Sequence, residues 1–220
     1  MKKIKDGIIA NLLYFYFLNT KYKNDRTKMK YYIYIFRHGE TYFNKNHIFT
    51  GWKDSKLSPK GINQSKIIAK KLKNKKIGIA IQTSLSRSKD SLKEVLKSHP
   101  ECIKIITDNR IIERGYGKLE GLHHDAIIKK YGQKQFYLWH REFNKRPPGG
   151  ESFSDVEKRI RNFITELKKI IKKEKTNVVI SAHGNSIRLF RKIMEKQSKE
   201  KAVKWFIPYD KVFYYSVNVK

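Results

Sequence analysis

Apolar residues recur along this chain in two alternating rhythms. Residues 31–36, Tyr-Tyr-Ile-Tyr-Ile-Phe, form a short apolar and aromatic run of the kind that fills a buried strand. Ser58-Pro59-Lys60-Gly61 then opens a helix, with Ser58 as N-cap and Pro59 at the first helical position, and Ile62, Ile67, Ile68, Ala69 and Leu72 follow at helical spacing. The rhythm repeats downstream. Strands are expected at 77–82, 103–106, 177–182 and 212–219, the last as an edge strand, with a further short strand at 110–112. Helices are expected at 86–97, with Leu92, Val95 and Leu96 facing inward, at 123–143 with a break near Gly132, at 152–173 and at 184–194. The helix at 152–173 is the clearest, because Phe153, Val156, Ile160, Phe163, Ile164, Leu167 and Ile171 share one stripe. Pro147-Pro148-Gly149-Gly150 reads as a rigid loop.

Strands alternating with helices predict an α/β fold: a single three-layer domain, a mostly parallel sheet with helices on both faces, and one antiparallel edge strand. No internal repeat or linker divides residues 29–220, which form the expected catalytic domain. Residues 1–28 differ. Lys2, Lys3 and Lys5 precede an apolar run at 8–18 that resembles a signal peptide without its small-residue cleavage site and is short for a membrane span. The segment reads as a dispensable extension, a signal or anchor, or a packed helix, and Met29 offers an alternative start. A cytoplasmic location is expected, with secretion or membrane association through residues 8–18 as the alternative.

The formal net charge of +30 attracts anions. Its lysines are scattered in pairs such as Lys70-Lys71 and Lys172-Lys173 on helix faces, with no zinc-finger spacing or aromatic RNA-binding signature, so no specific nucleic-acid partner is expected. A single cysteine, Cys102, excludes an internal disulfide. Neither a Rossmann glycine fingerprint nor a P-loop is present, and no His-Glu-x-x-His or carboxylate cluster suggests a metal.

Two strand ends carry the candidate chemistry. Arg37-His38-Gly39-Glu40-Thr41 directly follows the first strand, and His183-Gly184-Asn185 directly follows the strand at 177–182. Open α/β sheets bind ligands at the carboxyl ends of their strands. Arginine offers a planar fork of donors that fits phosphate, and neutral imidazole can attack phosphorus. The two histidines therefore read as one phosphate site assembled from both ends of the chain.

Further motifs follow in order: Asn44; Phe49-Thr50-Gly51-Trp52-Lys53-Asp54 with Leu57-Ser58 and Gly61; Thr83-Ser84-Leu85-Ser86-Arg87-Ser88; Glu113-Arg114 with Tyr116-Gly117 and Glu120-Gly121; Pro148-Gly149-Gly150-Glu151-Ser152; and His183 through Arg188. In this order they resemble the histidine phosphatase superfamily, which includes the cofactor-dependent phosphoglycerate mutases. The resemblance implies that His38 is a nucleophile forming a phosphohistidine. Arg37, Arg87 and His183 would surround the phosphoryl group, and Glu113 would donate and later accept the proton. Asn44, Thr50, Gly51, Tyr116, His124, His140, Arg141, Gly184 and Asn185 would bind substrate. Similar mutases have a lysine where this chain has His124 and an arginine where it has His140, and their segment between Gly121 and Glu151 is longer. The resemblance thus implies a metal-independent phosphomonoesterase acting on small phosphorylated metabolites and needing no cofactor. The alternatives are a mutase dependent on 2,3-bisphosphoglycerate and a non-catalytic binder of phospho-ligands or nucleic acid. Oligomeric state stays open, with a homodimer among the options.

Overall fold

The computed structural model describes residues 29–219, so the apolar run at 8–18 lies outside the described residues. Tyr31–Val217 forms one compact unit, and Met29, Lys30, Asn218 and Val219 fall outside it. Five strands, β1 (Met29–Arg37), β2 (Ile79–Gln82), β3 (Lys104–Thr107), β4 (Val178–Ala182) and β5 (Val212–Val219), form one sheet in the order β3-β2-β4-β1-β5. The pairs β1–β4, β2–β4 and β2–β3 are parallel, and β5 is the antiparallel edge strand. The helices are α1 (Tyr42–Lys45), α2 (Pro59–Leu72), α3 (Ser86–Leu96), α4 (His124–Arg141), α5 (Phe153–Glu174), α6 (Gly184–Met194) and α7 (Lys199–Lys204).

Side chains alternate across the sheet. Tyr34 and Phe36 of β1 join Ala80 and Val179 in a core layer with Ile68 and Leu72 of α2 and Leu92 and Val95 of α3. Ile33, Ile35, Ile81 and Ile180 are equally buried, and strand geometry sends the β1 pair to the opposite face. The paired helices α5 and α6 bring their own buried stripe, including Ile160, Phe163, Leu167 and Phe190. The predicted caps form. Ser58 accepts from Gly61 N at 3.0 Å. Ser152 and Asp155 make a reciprocal capping box, worth about 1 kcal/mol for a cap of this kind. The helix at 123–143 does break at Gly132, whose φ of 81° no α-helix contains.

Several expectations fail. Residues 110–112 are not a strand: Asn109–Ile111 form a 3₁₀ turn, because the Asp108 carboxylate accepts from Arg110 N at 2.9 Å and caps it. Ile62 and Ile67 of α2 are 40% and 43% exposed. The face that α2 turns inward uses Gly61 and Ser65 beside Ile68 and Leu72: a Cβ at Gly61 would stand 2.0 Å from Glu40 O, and Ser65 bonds to Ser91 of α3 at 3.1 Å. Helices α1 and α7 were not anticipated. Among the described residues no helix is long and apolar enough to cross a membrane.

Candidate active site

Parallel pairing brings the two histidines together. The β1–β4 register ends at Arg37 opposite Ala182, so the next residue on each strand is a histidine, and His38 N donates to Ala182 O at 3.0 Å. The imidazole centroids lie 5.0 Å apart. His38 is buried, and its Nδ1 lies 2.7 Å from Gly39 O. A carbonyl only accepts, so Nδ1 carries the proton and Nε2 keeps its lone pair. Burial, then the charges of Arg87 and Arg37, hold the ring well below the ordinary imidazole pKa, and it is neutral at pH 7. Gly39 is required by space: a Cβ there would stand 2.1 Å from Gly61 O. His183 is fully buried, with Nε2 2.9 Å from Thr83 Oγ1. Its pKa is pulled down by burial first and then by Arg87.

Two guanidinium groups flank this pair. Arg37 donates to Ile207 O at 3.1 Å and lies 4.0 Å from the centre of the Tyr209 ring. Arg87 sits in the first turn of α3, where its Nη1 donates to Lys53 O at 3.0 Å and its Nη2 to Gly51 O at 2.7 Å. Burial draws Arg87 down to about 10, which leaves it cationic at neutral pH. Gly51 bends its carbonyl toward Arg87 with a φ of 51°, a conformation that favours glycine. Six buried side-chain polar atoms lack a protein partner among the described residues, and four belong here: Arg37 Nε, Arg87 Nε, Arg141 Nη1 and His183 Nδ1. An unsatisfied buried donor costs about 1–3 kcal/mol, and a bound oxyanion supplies the acceptors such groups lack.

Glu113 completes the inner end. Its Oε1 accepts from Arg114 N at 2.9 Å and from Asn185 N, in the first turn of α6, at 3.0 Å. Among the described residues its Oε2 takes part in no hydrogen bond. Asn185 donates through Nδ2 to the Tyr116 hydroxyl at 3.2 Å and accepts from Arg188 through Oδ1.

These groups border a cavity of about 320 Å³. It gathers Arg37, His38, Arg87, Glu113, Asn44, Thr50, Gly51, Tyr116, His124, His140, Arg141, Gly184 and Asn185. Of the expected residues only His183 stands behind the lining, against His38. Asn44 accepts from Thr41 N through Oδ1 at 3.2 Å, so its amide NH2 is the end left to donate. Thr50 Oγ1 lies 3.4 Å from Ile48 O. The outer end belongs to α4. His124 packs 4.3 Å from the Phe49 ring, and His140 lies 5.5 Å from both Phe49 and His124. Burial first, then His47 and His123, lower His124 to about 4. Burial and Arg141 push His140 far below the imidazole range. Both are neutral at pH 7.

The sequence reading assigned no role to Arg188, Phe49, His47, Phe206 or Tyr209, which also line the cavity. Arg188 had a signal, since it stands three residues after Asn185 on one helix. Phe206 and Tyr209 come from the connection between α7 and β5, where no pattern marks them. A larger groove of about 850 Å³ along α2 and α3 holds none of the expected site residues, though Asp54 in its lining is the ion-pair partner of Arg87. Among the described residues no three His, Cys, Asp or Glu side chains come together as a metal cluster.

Comparison with known proteins identifies the family. The family model of the histidine phosphatase superfamily (branch 1) matches residues 33–215. The chain is 37% identical over 173 residues to a phosphoglycerate mutase of Schizosaccharomyces pombe, covering 76% of this chain and 81% of that protein. It is 34% identical over 174 residues to a 2,3-bisphosphoglycerate-dependent phosphoglycerate mutase of Mesorhizobium japonicum, covering 77% and 84%. The solved structure of a mycobacterial glucosyl-3-phosphoglycerate phosphatase in complex with VO3 superposes with a TM-score of 0.67 at 25% identity, over 79% of this chain and 86% of that one. With a match that runs from the first strand to the last, this chain belongs to branch 1 of the histidine phosphatase superfamily.

Proposed function

We propose that this protein is a phosphomonoesterase that hydrolyses small phosphorylated metabolites through a phosphohistidine at His38, without a metal. In the first step His38 Nε2 attacks phosphorus, the bond from phosphorus to the ester oxygen breaks, and Glu113 gives its proton to the departing alkoxide. In the second step water attacks the phosphohistidine, Glu113 takes a proton from that water, and inorganic phosphate leaves with His38 neutral again. Arg37 and Arg87 offset charge on the equatorial oxygens, and His183 and Asn44 add donors. Imidazole suits this chemistry because it is both a nucleophile and a fair leaving group.

The observation that carries the reading is the uneven charge along the cavity. Arg37 and Arg87 flank His38 at the inner end, whereas at the outer end His124 and His140 are neutral rings packed on Phe49; Arg141 of α4 and Arg188 of α6, which burial draws down to about 10 and leaves cationic, are the other two cations of the lining, and Arg188 is already bonded to Asn185 and to Trp205 O. The donor set fits one phosphate well. It fits a bisphosphate poorly, since each missing charged hydrogen bond forfeits about 1.5–3 kcal/mol. The mutase reading is favoured instead by the names of the curated relatives and by Arg141, whose Nη1 has no partner among the described residues.

Two assays separate them. Phosphate release from p-nitrophenyl phosphate in chelator should exceed that of His38→Ala. Phosphate release from 3-phosphoglycerate should outrun its isomerisation with 2,3-bisphosphoglycerate present. Cofactor-dependent isomerisation faster than release would reverse the assignment.

A further inference from the structure

The carboxylate assigned above as proton donor stands on weak local structure. His38 and His183 terminate hydrogen-bonded strands, and Arg87 begins a helix. Glu113 follows a 3₁₀ turn and belongs to no strand or helix. Its backbone has no ladder to hold it, yet the Oε1 contacts with Arg114 N and Asn185 N demand a defined position.

One side chain supplies that hold. Arg159 projects from α5 between Val156 and Ile160, which are fully buried, so it starts from a rigid base. Its Nη1 donates to Arg110 O and to Ile112 O, both at 2.8 Å. Its Nη2 donates to Glu113 O at 3.0 Å and to Glu151 Oε2 at 2.9 Å. Its Nε donates to Glu151 Oε1 at 3.0 Å. A guanidinium has five N–H groups, and each has an acceptor here. Three of the five bonds hold the carbonyls of Arg110, Ile112 and Glu113, in the segment that carries Glu113. Glu151 grips the far side of the same segment, accepting from Gly115 N through Oε2 at 2.9 Å, while its own N donates to Gly115 O at 2.9 Å. Trp52 Nε1 also donates to Glu113 O, at 2.8 Å, from the loop whose Gly51 and Lys53 carbonyls hold Arg87. The brace thus links the proton donor to the cationic end of the cavity.

We propose that Arg159, clamped by Glu151, is a positioning residue for Glu113: by fixing the backbone of residues 110–115 it keeps the unbonded carboxylate oxygen at the leaving-group side of the cavity. This rests on Glu113 acting as the proton donor. Arg159 touches no cavity surface; besides the residues it holds, its charge reaches only as far as His183, whose pKa it helps to lower after burial, Arg87 and His38. Lysine cannot replace it, because one ammonium centre cannot reach three carbonyls and a carboxylate in a planar fork.

A misplaced proton donor harms substrates in proportion to their need for protonation. Alkyl phosphates need it and p-nitrophenyl phosphate scarcely does. The experiment measures kcat and KM for glycerol 3-phosphate and p-nitrophenyl phosphate in Arg159→Lys, Arg159→Gln, Glu151→Gln and Glu113→Gln, with thermal midpoints alongside. For the Arg159 variants the expected result is a kcat/KM on the alkyl substrate about tenfold lower and an aryl kcat/KM within about threefold of wild type, because kcat/KM reports the first step, in which the leaving group is protonated, whereas kcat also contains the attack of water that both substrates share. Glu151→Gln should show the same bias at smaller size, and it carries the test if the Arg159 variants do not fold. Glu113→Gln should show the bias at its largest. Equal losses on both substrates in the Arg159 and Glu151 variants, with the bias intact in Glu113→Gln, would overturn the proposal. Absence of bias in Glu113→Gln itself would instead overturn the role of Glu113 as proton donor.

Discussion

At the inner end of the cavity His38 and His183 stand one residue past the ends of two adjacent parallel strands, and Arg87 stands in the first turn of a helix. At the outer end His124, His140 and Arg141 stand on α4, a helix interrupted at Gly132 and packed over a small satellite core of Phe49, Tyr116, Leu119 and Ile127. The inner groups are held by main-chain atoms: Ala182 O, Gly39 O, Gly51 O, Lys53 O and Ile207 O each take a bond from one of them or from its backbone. The outer imidazoles have ring neighbours in place of such bonds. A site tied to sheet register has little room to change without loss of the fold. Side chains on a helix over a satellite core can exchange charge for neutrality while the chemistry next door stays intact. On the proposed function, the reaction is set at one end of this cavity and the choice of substrate at the other.

That division predicts very unequal responses to substitution. His38→Ala should lower turnover at least about a thousandfold, because loss of a covalent nucleophile removes the pathway and not one contact. Steady-state hydrolysis of p-nitrophenyl phosphate measures it, and activity within tenfold of wild type would place the nucleophile elsewhere. Arg87→Ala should cost on the order of a hundredfold in kcat, as for removal of one preorganised transition-state donor. A rise in KM alone, with kcat intact, would mean that Arg87 binds the ground state and transition state equally.

The outer end should respond in preference more than in rate. The double variant His124→Lys, His140→Arg should raise kcat/KM for 2,3-bisphosphoglycerate relative to glycerol 3-phosphate by about tenfold or more, given the worth of a charged hydrogen bond. An unchanged ratio would show that α4 does not read a second anion. The smallest effect concerns pH. His124 has a folded-state value of about 4 against an ordinary 6.5, so as pH falls from 6.5 toward 4 the unfolded chain takes up a proton that the native protein does not. Stability should fall across that window, and His38, His183 and His140 shift in the same direction. Urea midpoints should decline less steeply in His124→Gln than in wild type; parallel declines would remove His124 from the account.

The inner end was legible in the amino-acid sequence and the brace behind it was not. Apolar runs ending in Arg37-His38-Gly39 and His183-Gly184 announce strand ends, and sheets of this class bind ligands there, so local pattern and global rule agree. What joins the two histidines is the register of β1 on β4, a long-range pairing that no local pattern encodes. Residues 110–112 misled because Ile111 and Ile112 look strand-like, while the deciding interaction is the capping carboxylate of Asp108. Arg159 is set apart by nothing in the local sequence from the other cations of the helix at 152–173. Its five acceptors come from residues up to 49 positions distant in the chain. Phe206 and Tyr209 stayed hidden for a similar reason, since an irregular connection carries no periodicity to read.

The most direct measurement is to quench the protein with a rapidly hydrolysed ³²P-labelled phosphomonoester in alkali, digest it and locate the label. A stable-in-base, acid-labile adduct on the peptide containing His38, absent from His38→Ala, is the expected result. Full turnover with no label on that peptide, or label on another residue, would contradict the account at its centre.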